Sequence, residues 1–164
     1  MKRIARFEWV SETRFATDFA DCFGNTPVPQ RPALPRRATA GSAGYDFYLP
    51  CPIRLMPGES VKIPTGIRVR IDEGWVLKIY PRSGLGFKFR LQLNNTVGII
   101  DSDYYGADNE GHILIKLTND SREEKVVDLP AGAAFAQGVF VEYGITEDDE
   151  ADAHRSGGFG STSK

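Results

Sequence analysis

Apolar residues recur at every second position in three separate stretches, and that period limits the fold more than any other feature of the chain. Ile67, Val69 and Ile71 alternate with Arg68 and Arg70. Trp75, Leu77 and Ile79 alternate with Val76 and Lys78, and Ile113, Ile115 and Leu117 with Leu114 and Lys116. Successive strand side chains point to opposite faces, so each triplet would line one face of a sheet. Turn signals separate the runs: Met56-Pro57-Gly58, Pro64-Thr65-Gly66, Asp72-Glu73-Gly74 and Pro130-Ala131-Gly132. Seventeen glycines and ten prolines in 164 residues suit many short strands. The expected class is all-β: a sandwich, jelly roll or barrel.

One stretch has a different period. Phe15, Ala16, Phe19, Ala20 and Phe23 share one helical face, with Ser11 as N-cap and Gly24 as stop. Cys22 joins that face as a small core residue rather than a reactive thiol. Asn25 to Pro35 carries four prolines and reads as an irregular arm.

Composition excludes several function classes. Twenty basic against 22 acidic side chains leave a formal charge of −2, which speaks against nucleic-acid binding by bulk positive charge. No apolar run reaches the ~18 residues of a membrane span. Met1 to Val10 alternates charged and apolar residues, unlike a secretory signal. Two cysteines and two histidines are too few for a disulfide scaffold or a four-ligand zinc site. The expectation is an intracellular protein with one core.

Three segments hold chemistry-bearing residues. In Ile99-Ile100-Asp101-Ser102-Asp103-Tyr104-Tyr105-Gly106 two carboxylates stand two apart, which in a strand would place them on one side. Such a pair raises the proton affinity of one member or recruits a cation. The calcium-loop pattern is met at Asp101, Asp103 and Gly106 but fails at Tyr105 and His112. A plain polar hairpin turn is the other reading. Pro81-Arg82-Ser83-Gly84-Leu85-Gly86 follows a strand, and Ser83 would cap a short helical turn whose N–H groups, with Arg82, suit an anion. An ordinary capped turn is again the alternative. G-x-S-x-G is absent, so Ser83 does not read as a hydrolase nucleophile. The third segment, Arg155 to Thr162, is rich in glycine and lacks the phosphate-loop pattern. Phe159 has no core to join there and would suit stacking on a planar ligand. His112 begins a strand, and nothing in the sequence marks it as a ligand.

Together these segments resemble the trimeric deoxyuridine triphosphatase (dUTPase) family. Its five motifs are matched in order by Ala43-Gly44-Tyr45-Asp46, by Pro81 to Gly86 with Lys88, by Asn95 with Gly98 to Gly106, by Pro130-Ala131-Gly132 through Ala136-Gln137, and by Gly157 to Thr162. Departures are Arg90 for a usual glycine, Ala133-Ala134 for an acidic-Arg pair, and His154 where an arginine is usual, with Arg155 one residue later. Asp108 to Gly111 lengthens the return of the motif-three hairpin.

The resemblance implies a distorted jelly roll, β-clip-like, with a short N-terminal helix and a flexible C-terminal tail. Residues 1–153 would be one β domain and residues 154–164 a lid. It implies a homotrimer with active sites at subunit interfaces, binding neither nucleic acid nor membrane. The activity would be Mg²⁺-dependent hydrolysis of dUTP to dUMP and pyrophosphate, which keeps uracil out of DNA and supplies dUMP for dTMP synthesis. The protein would be cytoplasmic, or intracellular in a host cell if viral.

The resemblance also assigns roles. Asp101 would activate the water. Arg82, Ser83, Gly84, Gln137, Arg155 and Ser161 would hold phosphates. Asn95, Gly98, Ile99, Ile100, Tyr104, Ile113, Phe159 and Gly160 would hold uracil and deoxyribose. Asp46 would reach the metal through water. A dCTP deaminase on the same fold, or a trimeric regulator-binding protein, are the competing readings. Deamination needs a general acid/base beside the ring, typically Glu, where this chain has Asp-Ser-Asp-Tyr.

Overall fold

The computed structural model describes residues 1–153 together with 157 and 158. Strand β1 (Ala5–Trp9) leads into helix α1 (Glu12–Phe23). After the proline arm come β2 (Arg36–Arg37), β3 (Tyr45–Tyr48), β4 (Ile53–Leu55), β5 (Ser60–Pro64), β6 (Ile67–Ile71) and β7 (Trp75–Pro81). Helix α2 (Ser83–Phe89) is followed by β8 (Leu91–Leu93), β9 (Gly98–Ile100) and a 3-10 turn over Ser102–Gly106. The chain then adds β10 (Leu114–Asn119), β11 (Val127–Leu129) and β12 (Ala134–Glu142).

The architecture is jelly-roll-like. Antiparallel ladders build a five-stranded sheet in the order β2-β3-β12-β7-β9, a three-stranded sheet β5-β10-β8, and the pairs β1-β6 and β4-β11. All four face one core, which joins Phe47, Ile63, Val69, Leu77, Leu117, Val127 and Phe135. The expected alternation holds in β6, where Ile67, Val69 and Ile71 are buried and Arg70 is exposed. In β7 it relaxes, because Val76 is buried beside Leu77 and Ile79. β12 crosses the centre of the large sheet at Gly138. A Cβ there would meet Leu77 Cδ1 at 2.8 Å and Phe47 Cε2 at 3.1 Å, so the core closes only over a bare backbone.

Helix α1 forms where the period predicts it. The Ser11 hydroxyl accepts from the Arg14 N–H, and Gly24 ends the helix at φ +60° by donating to the Ala20 carbonyl. Its buried stripe is narrower than expected: Phe15 and Phe19 are buried, Phe23 is half-buried, and Ala20 is exposed. These rings form a second cluster with Val10, against which Cys51 packs. Cys22 and Cys51 are free thiols that burial pushes above their ordinary value. The proline arm is tied down, with Trp9 Nε1 donating to the Pro32 carbonyl and Arg31 to that of Val10.

The helix is pinned to the body by His112, a residue that sequence reasoning passed over. His112 is fully buried. Its Nε2 accepts from the Gly66 N–H at 2.8 Å. Nδ1 therefore carries the proton and donates to the Asp18 carboxylate of α1. Burial holds this imidazole neutral, below its ordinary value of 6.5, despite the Asp18 hydrogen bond that raises it.

The unfolded chain takes up a proton near pH 6.5 that the folded chain resists. Stability should therefore be full above that pH and fall as the pH drops below it, by at most about 1.4 kcal/mol per pH unit. Urea midpoints between pH 7.5 and 5.5 check this, and His112→Gln should flatten the slope.

Candidate functional site

Two groups of predicted residues converge, at two different places. The first lies across the large sheet. Gln137 of β12 is in register with Asp46 of β3 on one side and Tyr80 of β7 on the other. Its neighbours Ala136 and Gly138 are buried, so Gln137 points to the outer face. β7 ends at Pro81, and Arg82 turns the chain into α2. The Arg82 Nε then lies 3.4 Å from Asp46 Oδ1, and Gln137 Nε2 donates to the Pro81 carbonyl at 3.3 Å. Gly44 makes room, since a Cβ there would lie 2.5 Å from Gln137 Oε1.

Ser83 is not the cap. Arg82 occupies that position with no side-chain capping bond, and Ser83 and Gly84 are the first helical residues. Their N–H groups belong to the first turn, which has no intrahelical acceptors for them. The far end of α2 explains one departure from the family pattern. Arg90 stops the helix in a left-handed conformation, φ +52°, which favours glycine. Its guanidinium is held there by Asp120 at 3.0 Å.

The second group surrounds a cavity of about 520 Å³. Asn95, Gly98, Ile99, Ile100, Asp101, Tyr104 and Ile113 all line it. The expected hairpin, however, is not one. β8 pairs with β10, whereas β9 pairs with β7, so residues 94–97 cross from one sheet to another. β9 is the last strand of its sheet. Close packing forms the floor: a Cβ on Gly98 would lie 3.0 Å from Ile79 Cβ.

Asp101 and Asp103 do not project together as strand neighbours would. Asp101 is extended and opens the 3-10 turn, while Asp103 sits inside it. A 3-10 turn has three residues per turn, so period two no longer applies. Asp101 lines the cavity and Asp103 does not. No cluster of three metal-ligating His, Cys, Asp or Glu exists among the described residues.

Tyr104 is buried against the cavity wall. Its hydroxyl donates to the His112 carbonyl at 2.7 Å and accepts from Asn109 Nδ2 at 2.8 Å. Gly158 approaches the same ring, where a Cβ would lie 3.0 Å from Tyr104 Cε2. The other tail residues named from sequence, His154, Arg155, Phe159, Gly160 and Ser161, lie outside the described residues.

None of Asp46, Arg82, Ser83, Gly84 and Gln137 lines the cavity that holds Asp101. The sequence profile of the dUTPase family matches residues 31–163 and so spans both groups. The chain belongs to the dUTPase family. It is 42% identical over 132 residues to the deoxyuridine 5'-triphosphate nucleotidohydrolase of Lactococcus lactis, covering 79% of this chain and 87% of that one. The crystal structure of a dUTPase from Streptococcus mutans superposes with a TM-score of 0.64 at 32% identity, over 86% of this chain and 98% of that chain. A mutant dUTPase from phage phi11 of S. aureus, described with a structural Mg(II) ion, shares the fold at 20% identity and a TM-score of 0.65, over 92% and 98%.

The dUTPase match begins after α1, yet the helix and its N-cap bond to Glu110 and His112, next to the residues that hold Tyr104. Ser11 at its N-cap donates to Glu110 through both backbone N–H and hydroxyl. Those bonds hold the Glu110 carboxyl below its ordinary value. Asp18, His112, Asn109 and Glu110, which sequence reasoning missed, lie behind Tyr104 and not on the cavity. Asp18 and His112 stand 94 residues apart, and no local pattern links them. The only hint was the extra length of Asp108 to Gly111.

Proposed function

We propose that this chain hydrolyses dUTP to dUMP and pyrophosphate, at sites completed between subunits of a homotrimer. The observation that carries the reading is the placement of Asp101 on a cavity of about 520 Å³ in a dUTPase-family chain. Asp101 acts as general base. It accepts a proton from a water whose oxygen bonds to the α-phosphorus, and the bond to the bridging oxygen breaks to release pyrophosphate. Arg82, the first-turn N–H groups at Ser83 and Gly84, and Gln137 hold phosphate oxygens and stabilise the charge that develops.

The donor set suits a cation that arrives with the triphosphate rather than one caged by protein. No three-ligand cluster is present among the described residues, and Asp46 is the carboxylate on the phosphate face, already beside Arg82. Asp46 would hold Mg²⁺ through a water, and the ion would neutralise phosphate charge when bound.

Specificity rests on the edge of β9. As the outermost strand it can offer the N–H and carbonyl groups of Gly98 to Ile100 to the polar edge of uracil, as a further strand would. Asn95 and Ile113 close the sides. Cytosine reverses donors and acceptors and leaves buried groups unpaired, a larger loss than one methyl causes. The packed floor at Gly98 and Ile79 excludes the thymine methyl. Tyr104 packs on the deoxyribose. Residues 154–164 would close over the nucleotide, with Phe159 and Gly160 on the base and Arg155 and Ser161 on phosphates. With such a substrate the protein would work in the cytoplasm, or inside a host cell. Among the described residues no helix is long and apolar enough to cross a membrane.

Pyrophosphate release should be fast with dUTP and at least about 100-fold slower with dTTP, dCTP or UTP, and no ammonia should form from dCTP. Asp101→Asn should lower kcat by about 100-fold or more while leaving the Kd for a non-hydrolysable dUTP analogue nearly unchanged. Shared sites can be tested by complementation. Co-refolded Asp101→Asn and Arg82→Ala chains, each inactive alone, should regain activity at about one quarter of sites, where an interface combines the two intact halves.

A further inference from the structure

Helix α1 and the turn Asp108 to Gly111 form one clamp behind Tyr104. The turn holds two consecutive left-handed residues, Glu110 at φ +62° and Gly111 at φ +70°. A Cβ on Gly111 would meet the Tyr104 carbonyl oxygen at 2.6 Å, so the turn lies directly on the tyrosine backbone. Its Asn109 amide reaches the Tyr104 hydroxyl, and its Glu110 is tied to Ser11 at the start of α1. The next residue, His112, receives the tyrosine hydroxyl on its carbonyl. The His112 ring is fixed at both nitrogens, by Gly66 on the body and by Asp18 on α1. Phe15 of α1 meets the same ring edge-on at 6.4 Å between centroids. Tyr104 therefore cannot pivot unless the His112 carbonyl moves, and that carbonyl is anchored through the imidazole to the helix.

We propose that Asp18 is a positioning residue for sugar discrimination: by fixing His112 it holds Tyr104 where a ribose 2'-hydroxyl would collide. This rests on the reading that Tyr104 packs on the deoxyribose. Asp18 does not touch the nucleotide. It lies on the N-terminal helix, before the segment matched by the family profile. The chemistry asks only for an acceptor opposite His112 Nδ1–H. An asparagine oxygen can supply one, and an alanine cannot.

The test compares kcat/KM for dUTP and UTP, read as pyrophosphate release, in the full-length chain. Asp18→Ala should raise the UTP-to-dUTP ratio about tenfold or more, while kcat for dUTP stays within about twofold. Asp18→Asn should keep the wild-type ratio. A ratio unchanged in Asp18→Ala, or raised equally in Asp18→Asn, overturns the proposal. Tyr104→Ala separates it from the reading beneath it. If Tyr104→Ala leaves the ratio unchanged, the role of Tyr104 fails and the proposal with it. If Tyr104→Ala raises the ratio and Asp18→Ala does not, only the helix's role falls. Should Asp18→Ala not fold, Glu110→Ala releases the other end of the clamp. A rise in the ratio there supports the proposal, and an unchanged ratio overturns it.

Discussion

The register of β12 against its two neighbours is the constraint on which the rest of the molecule depends. One strand must bury Phe135 and Ala136 in the core, pass bare at Gly138 between Leu77 and Phe47, and present Gln137 outward. A slip of one residue would exchange the two faces, burying the amide and exposing the core. With the register fixed, Asp46, Gln137 and the end of β7 fall on one rung. Arg82 then enters α2 beside them. The group of Asp46, Arg82 and Gln137 is thus a by-product of closing the hydrophobic core.

The group lining the Asp101 cavity has a different origin. It forms where the chain leaves the three-stranded sheet at β8 and joins the edge of the large sheet at β9. An edge strand next to a sheet-to-sheet crossing leaves both backbone polarity and room. Edge strands elsewhere risk pairing with other chains. Here the 3-10 turn and Tyr104 line the cavity on one side. One chain thereby carries two groups of residues that do not share a cavity.

Local patterns made much of this legible. Period two located β6, β7 and β10, and the helical stripe with Ser11 and Gly24 located α1 within a residue at each end. The residues singled out around Asp101 proved to line one cavity, because they lie within a short stretch and its immediate structural neighbours. Other expectations failed for identifiable reasons. The motif-three segment from Asn95 was expected to form a hairpin, but β8 pairs with β10 and β9 with β7, because pairing partners are chosen by the sheets and not by adjacency. Ser83 looked like a cap because its residue type prefers that position, yet Arg82 is the last extended residue. His112 looked inert, since its partners Gly66 and Asp18 are distant in sequence.

The sequence by itself determined the β class, the helix and the turn positions. Each of these is written in side-chain period or residue type over a few neighbouring positions, where backbone sterics and local hydrogen bonds decide. Only the tertiary structure decided which sheet each strand joins, that Asp101 and Asp103 part ways, that Arg82 meets Asp46, and that an N-terminal helix reaches Tyr104 through a buried imidazole. Those outcomes depend on contacts between residues tens of positions apart. They are set by how volumes and polar groups are satisfied together in one core, which no single stretch of sequence contains.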